Sequence, residues 1–582
     1  MAPLAVSIKH AGKTHNVQLD PDLPPKAFKE AVYQVTGVPL DRMKIMVKGG
    51  MLKDDSNWAK IGPKAGQTFM VIGTAGELPK APEKPVVFLE DMDDEELAGA
   101  LEMPVGLRNL GNTCYMNSTV QALRAIPELQ VSLGVSQSGQ PSTSANPSLS
   151  GLPASLRDLY AGMACTTDPV NPASFLNVLR QVNPQFAERD RSGKGATMGG
   201  GFAQQDAEEC YSQVLNSLRE VNVAEALIPP GTAGGTRKFI EQYLMSEVRR
   251  ELSTLEAPDE PPSISTERIM KIECNITGQT NYMQSGILGA LNSTLSKDSP
   301  SLGRTAEYTQ TSRLTRLPSY LTVQMVRFAW KADVQKKAKI MRKVKFPEYY
   351  DALDIVTPEL KAKLLPASRR MQEIEKERAE RRKVRKRTKK AREQTTSSAT
   401  PADSSASTET PAEAESSTAA TATQGGELEE ESVYRQREQA ELEGLVDADV
   451  KNDIGASWNG LYELVAIVTH KGAAADSGHY MGFVKKSVFH RPPPRLYSGP
   501  AAQSAGTTNP SSVPTANTDS NAMDVDQPAG KKIDEYAHED DEDWYKFDDD
   551  KVSIFPKEKL ATLDGGGEDS SAYVLLYRTK AA

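Results

Sequence analysis

Leu4, Val6 and Ile8 alternate with polar neighbours, the period breaks at Gly12-Lys13, and His15, Val17 and Leu19 restore it, which predicts a β-hairpin. Pro24-Pro25 opens a stretch in which Phe28, Ala31 or Val32, and Val35 share one helical face until Gly37 ends it. Two more strand-like runs follow, Met43 to Val47 and Thr68 to Ile72, with Gly49-Gly50 between them. Within the first of these, Met46 takes the face opposite to Ile45 and Val47, so it is either a core residue or part of an exposed apolar patch.

The pattern changes after residue 76. Residues 77–103 are rich in Pro and acids and read as a flexible linker, with a short helix about Asp93 to Leu101. Met116, Val120 and Leu123 then recur at helical spacing behind two glycines, Gly106 and Gly111, so a helix starts at or beside Cys114. Ile126-Pro127 to about Gly151 reads as a loop. Ala207, Cys210 or Tyr211, Val214 or Leu215, and Leu218 form a second helical stripe, which gathers Gln205, Asp206 and Glu209 near its start. Leu321, Val323 and Met325 alternate as a half-buried strand that Arg327-Phe328-Ala329-Trp330 leaves into a Lys-rich loop.

Two stretches read as disordered insertions, at about 365–450 and 488–540, being rich in Ser, Thr, Pro, Ala and charge. Between them a β-branched strand runs from Tyr462 to His470, a small-residue loop reaches Ser477, and Gly478-His479-Tyr480 opens the next strand. Strands also follow at Trp544 and at Ala572 to Tyr577.

At 582 residues the chain is too long for one core and suggests two to four structured units. Lys plus Arg is 69 and Asp plus Glu is 78, so the net charge is 69 − 78 = −9, which argues against nucleic acid as a partner. Nine of the twelve residues 381–392 are basic, a solvated helix or tail on the plainest reading. Four cysteines, at 114, 165, 210 and 274, share no short spacing, so neither a disulfide framework nor a four-cysteine zinc site is encoded. A reducing compartment, cytoplasm or nucleus, is expected. No run approaches the ~18 apolar residues of a membrane span, so no membrane association is expected.

A cysteine at a helix start has reactive potential, because unpaired N–H groups and the positive end of the dipole favour thiolate and can hold an oxyanion. Asn109 could add a side-chain donor to that hole. Either His470 or His479 could serve as base.

Gly-Leu-Arg-Asn-Leu-Gly-Asn-Thr-Cys-Tyr-Met-Asn, at 106–117, resembles the cysteine box of the ubiquitin-specific proteases, papain-like deubiquitinases. Phe202-Ala-Gln-Gln-Asp-Ala-Glu-Glu-Cys-Tyr is similar to that family's Gln-Gln-Asp box, and Gly478-His479-Tyr480 to its histidine box. The fold so implied is α+β: a ubiquitin-like β-grasp domain at 1–76, which the early hairpin-helix-strand order also resembles, and a protease domain of thumb, palm and fingers at 104–580. The resemblance implies Cys114 as nucleophile, His479 as general base and acid, Asp548 as its orienter with Asp549 second, and Asn109 in the oxyanion hole.

It further implies that Gln205, Asp206 and Glu209 hold the basic tail of ubiquitin, with Phe328, Trp330 and Tyr480 lining the groove. On the residues alone, Phe328 and Trp330 read equally as core aromatics, and His470 as a groove-edge residue. Cys274 falls where many members carry zinc-binding cysteine pairs on the fingers, and a single cysteine predicts fingers without metal. No cofactor is implied. The ubiquitin-like domain and acidic linker together resemble the proteasome-associated members, which implies docking on the proteasome regulatory particle through residues 1–76, Met46 included. A catalytically silent ubiquitin-binding scaffold is the alternative reading.

Overall fold

Val6, Ile8, Val17 and Leu19 all lie buried, as a half-buried hairpin requires. The computed structural model describes residues 3–40, 42–47, 50–54, 56–73, 103–135, 149–189, 201–229, 235–331, 336–397, 428–474, 477–490, 541–567 and 569–581. The linker expected at 77–103, apart from Met103, with its short helix, and most of the insertion at 488–540 therefore lie outside the described residues. The chain divides into two units, Met1–Asp91 and Met92–Ala582.

In the first unit, β1 (Leu4–His10), β2 (Lys13–Leu19), β3 (Lys44–Val47), β4 (Gly50–Met51) and β5 (Thr68–Ile72) form one sheet in the order β2-β1-β5-β3-β4, with β1 and β5 parallel. A helix, Pro25–Thr36, packs Phe28 and Val32 into the core while Val35 stays exposed, and Gly37 caps it at φ 67°. The Phe28 ring meets Trp58 and Phe69 edge-on at 5.7 and 5.8 Å. Met46 is 45% exposed and pairs across the sheet with Met51 and Met70, so it belongs to an open apolar face with those two and Ile72.

The second unit carries two sheets. β6 (Ser246–Ser253) and β7 (Ser263–Ile269) precede the short β8 (Ile272–Asn275); β9 (Asn292–Ser299) and β10 (Arg304–Arg316) follow, and the first sheet runs β7-β6-β10-β9. The larger sheet adds β11 (Tyr320–Val326), β12 (Phe328–Lys331), β13 (Lys336–Lys339), β14 (Tyr349–Asp351), β15 (Leu461–Ala474), β16 (Ser477–Lys485), β17 (Trp544–Asp548), β18 (Lys551–Phe555) and β19 (Ser571–Thr579). Its main path is β18-β17-β16-β15-β19-β11-β8. The Cys114–Leu123 helix lies across β16 and is buried along its whole length. No described helix is long and apolar enough to cross a membrane.

Pro127–Leu133 is helical rather than loop, because Pro127 sits at its first turn and Leu129 and Leu133, one turn apart, are both buried. Cys274 lies not on the four-stranded sheet but in β8 of the large sheet, where its Sγ donates to the Met283 carbonyl at 3.5 Å. The Lys-rich segment after Phe328 is a β12–β13 hairpin, with Phe328 opposite Lys339. The strand before the histidine box extends past His470 to Ala474, so His470 is interior and fully buried rather than at a groove edge.

The insertion at 365–450 is largely helical. Pro358–Ser397 and Glu431–Leu445 lie side by side, and Ala367, Met371 and Ile374 bury against Leu442 and Trp458. Arg378 pairs with Glu438 at 2.7 Å and Arg370 with Glu441 at 2.7 Å, so much of the charge that suggests disorder is spent between the helices. Residues 398–427 lie outside the described set.

Candidate active site

Gly106 begins the loop that places the cysteine. A Cβ there would lie 2.5 Å from the Asp550 carbonyl oxygen and 2.7 Å from that of Asp549, so only glycine admits so close an approach. The Leu107 N–H donates to the Asp549 carbonyl at 2.9 Å, tying the loop to the β17–β18 turn. Asn109 Oδ1 then accepts from the Gly111 N–H at 2.9 Å and the Thr113 N–H at 3.3 Å, which fixes the turn that delivers Cys114 as the first residue of its helix. Asn112, held at φ 53°, donates from Nδ2 to the Phe202 carbonyl at 3.0 Å and joins this turn to the segment leading into the Gln-Gln-Asp box.

His479 stands on β16 and Asp548 ends the neighbouring β17. His479 Nε2 donates to Asp548 Oδ1 at 2.6 Å, which leaves Nδ1 for the thiol. A hydrogen bond with Cys114 raises the His479 pKa to about 9, with burial opposing and Asp548 reinforcing the rise. Burial alone would push the Asp548 carboxyl up, but hydrogen bonds from His479 and from Lys546, whose Nζ lies 3.1 Å from Oδ2, hold it below the usual range. Asp549 is committed to two asparagines. It accepts from Asn109 Nδ2 and from Asn117 Nδ2, both at 2.8 Å, and adopts φ 54°.

The structure thus brings together Cys114, His479 and Asp548, while Asn109, on the loop before Cys114, commits Nδ2 to Asp549 and Oδ1 to the Gly111 and Thr113 N–H groups. Among the described residues, His479, Asp548 and Asp549 form one cluster with ligand atoms within 4.8 Å of one another. His479 Nε2 and the oxygens of both carboxylates already take part in the hydrogen bonds above, an arrangement suited to acid-base chemistry.

A cavity of about 400 Å³ is lined by Asp206, Glu208, Glu209, Lys271, Phe328 and Tyr573, among others. Asp206 caps the Ala207–Ser217 helix, accepting from the Glu208 N–H at 2.8 Å, and Tyr573 Oη donates to both its oxygens at 2.8 and 2.9 Å. Burial raises the Asp206 carboxyl, with Tyr573 and the Glu208 N–H opposing. Phe328 stands edge-on to His470 at 5.2 Å and to Tyr573 at 5.4 Å.

Of the residues expected to touch ubiquitin, Asp206, Glu209 and Phe328 line this cavity, whereas Gln205 sits half-buried just before the cap and does not. Tyr480 is a correction: it is 1% exposed, because the period of two puts it with Val484 on the face of β16 buried in the helix-packed core. The Trp330 side chain lies outside the described residues.

Sequence reasoning missed Glu208, Lys271 and Tyr573 in the cavity, and Asn117, Lys546 and Asp549's hold on Asn109 beside the thiol. Asn117 and Glu208 were signalled by helical spacing, three residues after Cys114 and within the first turn behind Asp206. Lys271 and Tyr573 arrive from distant strands and carried no local signal.

A family model described as "Ubiquitin carboxyl-terminal hydrolase" matches residues 105–577, and one described as "Ubiquitin family" matches residues 6–76. The chain is 37% identical over 577 residues to Ubiquitin carboxyl-terminal hydrolase 6 of Schizosaccharomyces pombe, covering 99% of both chains. It is 34% identical to Ubiquitin carboxyl-terminal hydrolase 6 of Arabidopsis thaliana, over 99% of this chain and 98% of that one. To Ubiquitin carboxyl-terminal hydrolase 7 of the same plant it is 32% identical, over 99% of each.

Proposed function

Since the chain belongs to the ubiquitin carboxyl-terminal hydrolase family and is a cysteine-type deubiquitinase, we propose that Cys114, His479 and Asp548 carry out its hydrolysis of the isopeptide bond at the C-terminal glycine of ubiquitin. The observation that carries this assignment is the His479–Asp548 hydrogen bond of 2.6 Å beside a cysteine that opens a helix.

A free thiol is a few per cent ionised at neutral pH. With a pKa of about 9, His479 holds the proton there and pairs with the Cys114 thiolate. The sulfur attacks the carbonyl carbon, and the oxygen, becoming negative, takes hydrogen bonds from Asn109 and from N–H groups at the helix start. His479 passes its proton to the departing lysine amine, and the C–N bond breaks to leave a thioester. Water, deprotonated by His479, then adds to the thioester carbonyl, the C–S bond breaks to release ubiquitin, and the thiolate–imidazolium pair is restored. Asp548 holds Nε2–H throughout, so the ring keeps the orientation and tautomer the two transfers need.

The acidic cavity takes the basic tail of ubiquitin, and Phe328 walls it. Residues 1–76 dock on the proteasome regulatory particle, an assignment supported by the open face of Met46, Met51, Met70 and Ile72. Deubiquitination then acts on proteasome-bound substrates in cytoplasm and nucleus. Cys114→Ser is expected to abolish release of a C-terminal fluorogenic amide of ubiquitin, and wild-type turnover by that variant would refute the assignment. Deleting residues 1–76 is expected to end co-sedimentation with proteasomes while hydrolysis persists, and full retention would refute the docking role.

A further inference from the structure

The acidic cavity is not an empty groove, for it already holds a cation of this chain. Lys271, one residue ahead of β8, reaches in from another part of the unit and pairs its Nζ with Glu208 Oε1. Of the three carboxylates lining the cavity, Asp206 is engaged through both oxygens by Tyr573, and Glu209 stands exposed at the rim. Glu208 is the carboxylate that faces a lysine, and it is steadied by Ser212 Oγ at 2.7 Å. The other lining cation, Arg327, is committed elsewhere: its guanidinium donates to the Ala572, Arg342 and Asp564 carbonyls at 2.7, 2.9 and 2.8 Å. Lys271 is different in kind. Its side chain is 31% exposed, its stem is flexible, and its ammonium is a point charge.

We propose that Lys271 is a built-in stand-in for the basic tail of ubiquitin, displaced from Glu208 when the tail enters, so that this pair sets how strongly the groove demands arginine. The proposal rests on the reading of the cavity as the tail site. A partly solvated lysine-carboxylate pair is weak and exchangeable, whereas a guanidinium grips the same carboxylate through two parallel N–H groups. Exchange therefore favours an arginine-bearing tail, and a neutral tail leaves Lys271 in place.

Steady-state hydrolysis by the full-length protein tests this, with ubiquitin of normal tail and with ubiquitin whose tail arginines are replaced by glutamine. For the normal tail, K271M is expected to lower KM about two- to fivefold, the scale of one such pair. K271R is expected to raise KM, since an arginine holds Glu208 as firmly as the tail does. Both changes fall in KM rather than kcat, and both vanish with the neutral tail.

A merely structural Lys271 predicts the reverse, with KM raised by K271M and rescued by K271R, and that result would overturn the proposal. If the wild type shows the same KM for both tails, the reading of the cavity itself fails. A raised KM for the neutral tail together with an unmoved K271M overturns the role of Lys271 alone.

Discussion

In the proposed mechanism the chemistry turns on His479, and its raised pKa gives a testable sign. A group whose folded pKa exceeds its unfolded value, here about 9 against about 6.5, contributes stability that is present in full below about 6.5 and lost as pH rises through about 9. The same protonation sets activity, since the active pair needs imidazolium. Asp548→Asn removes one of the groups that raise the His479 pKa, so the alkaline limb of the kcat/KM profile should move to lower pH, with an unshifted limb contradicting the pairing. Replacing Asn109 by Ala should lower kcat about 100- to 1000-fold with little change in KM, as removal of one oxyanion donor does. Equal loss in kcat and in ubiquitin affinity would instead make Asn109 a ground-state contact. Gly478 is conformationally bound as well: at φ 132°, a Cβ would lie 2.3 Å from the Lys471 carbonyl oxygen, so Gly478→Ala should displace the start of β16 and with it His479.

At the scale of elements, the helix pair inserted between β14 and β15 is held by buried charge. The Arg378 and Glu438 side chains are 4% and 6% exposed, and leaving one of such a pair unpartnered costs about 3–5 kcal/mol. Glu438→Ala should therefore lower hydrogen-exchange protection across 365–388 and 431–445 while hydrolysis of a ubiquitin amide persists; unchanged protection would contradict the pairing. This pair also shows where the sequence misleads, since a charge-dense stretch reads as disordered when its partners lie about 60 residues away. Strands at 4–19, 44–47 and 68–72 were legible because alternation is local, whereas the strand expected to be half-buried at 321–325 is buried on both faces from Tyr320 to Val323, and Ser571–Thr579 is buried along its whole length. The cysteine helix, whose glycines and stripe are contiguous, was legible too. The burial of Tyr480 and His470 was not legible, because which face of β15 and β16 is covered depends on helices remote in sequence.

Across the whole molecule, the site is assembled by topology. Cys114 rides on a helix laid across β16, His479 on β16 itself and Asp548 on its neighbour β17, so pairing of Gly482 with Phe547 and of Phe483 with Lys546 brings base and acid into register. The first unit presents an apolar sheet face and the second an acidic cavity. The most direct measurement of the account is the mass of the adduct formed with ubiquitin carrying a C-terminal electrophile, mapped to a peptide. The account predicts one ubiquitin on Cys114, lost in Cys114→Ser and strongly reduced in His479→Ala. Labelling of Cys165, Cys210 or Cys274, or an adduct that survives Cys114→Ser, would contradict it.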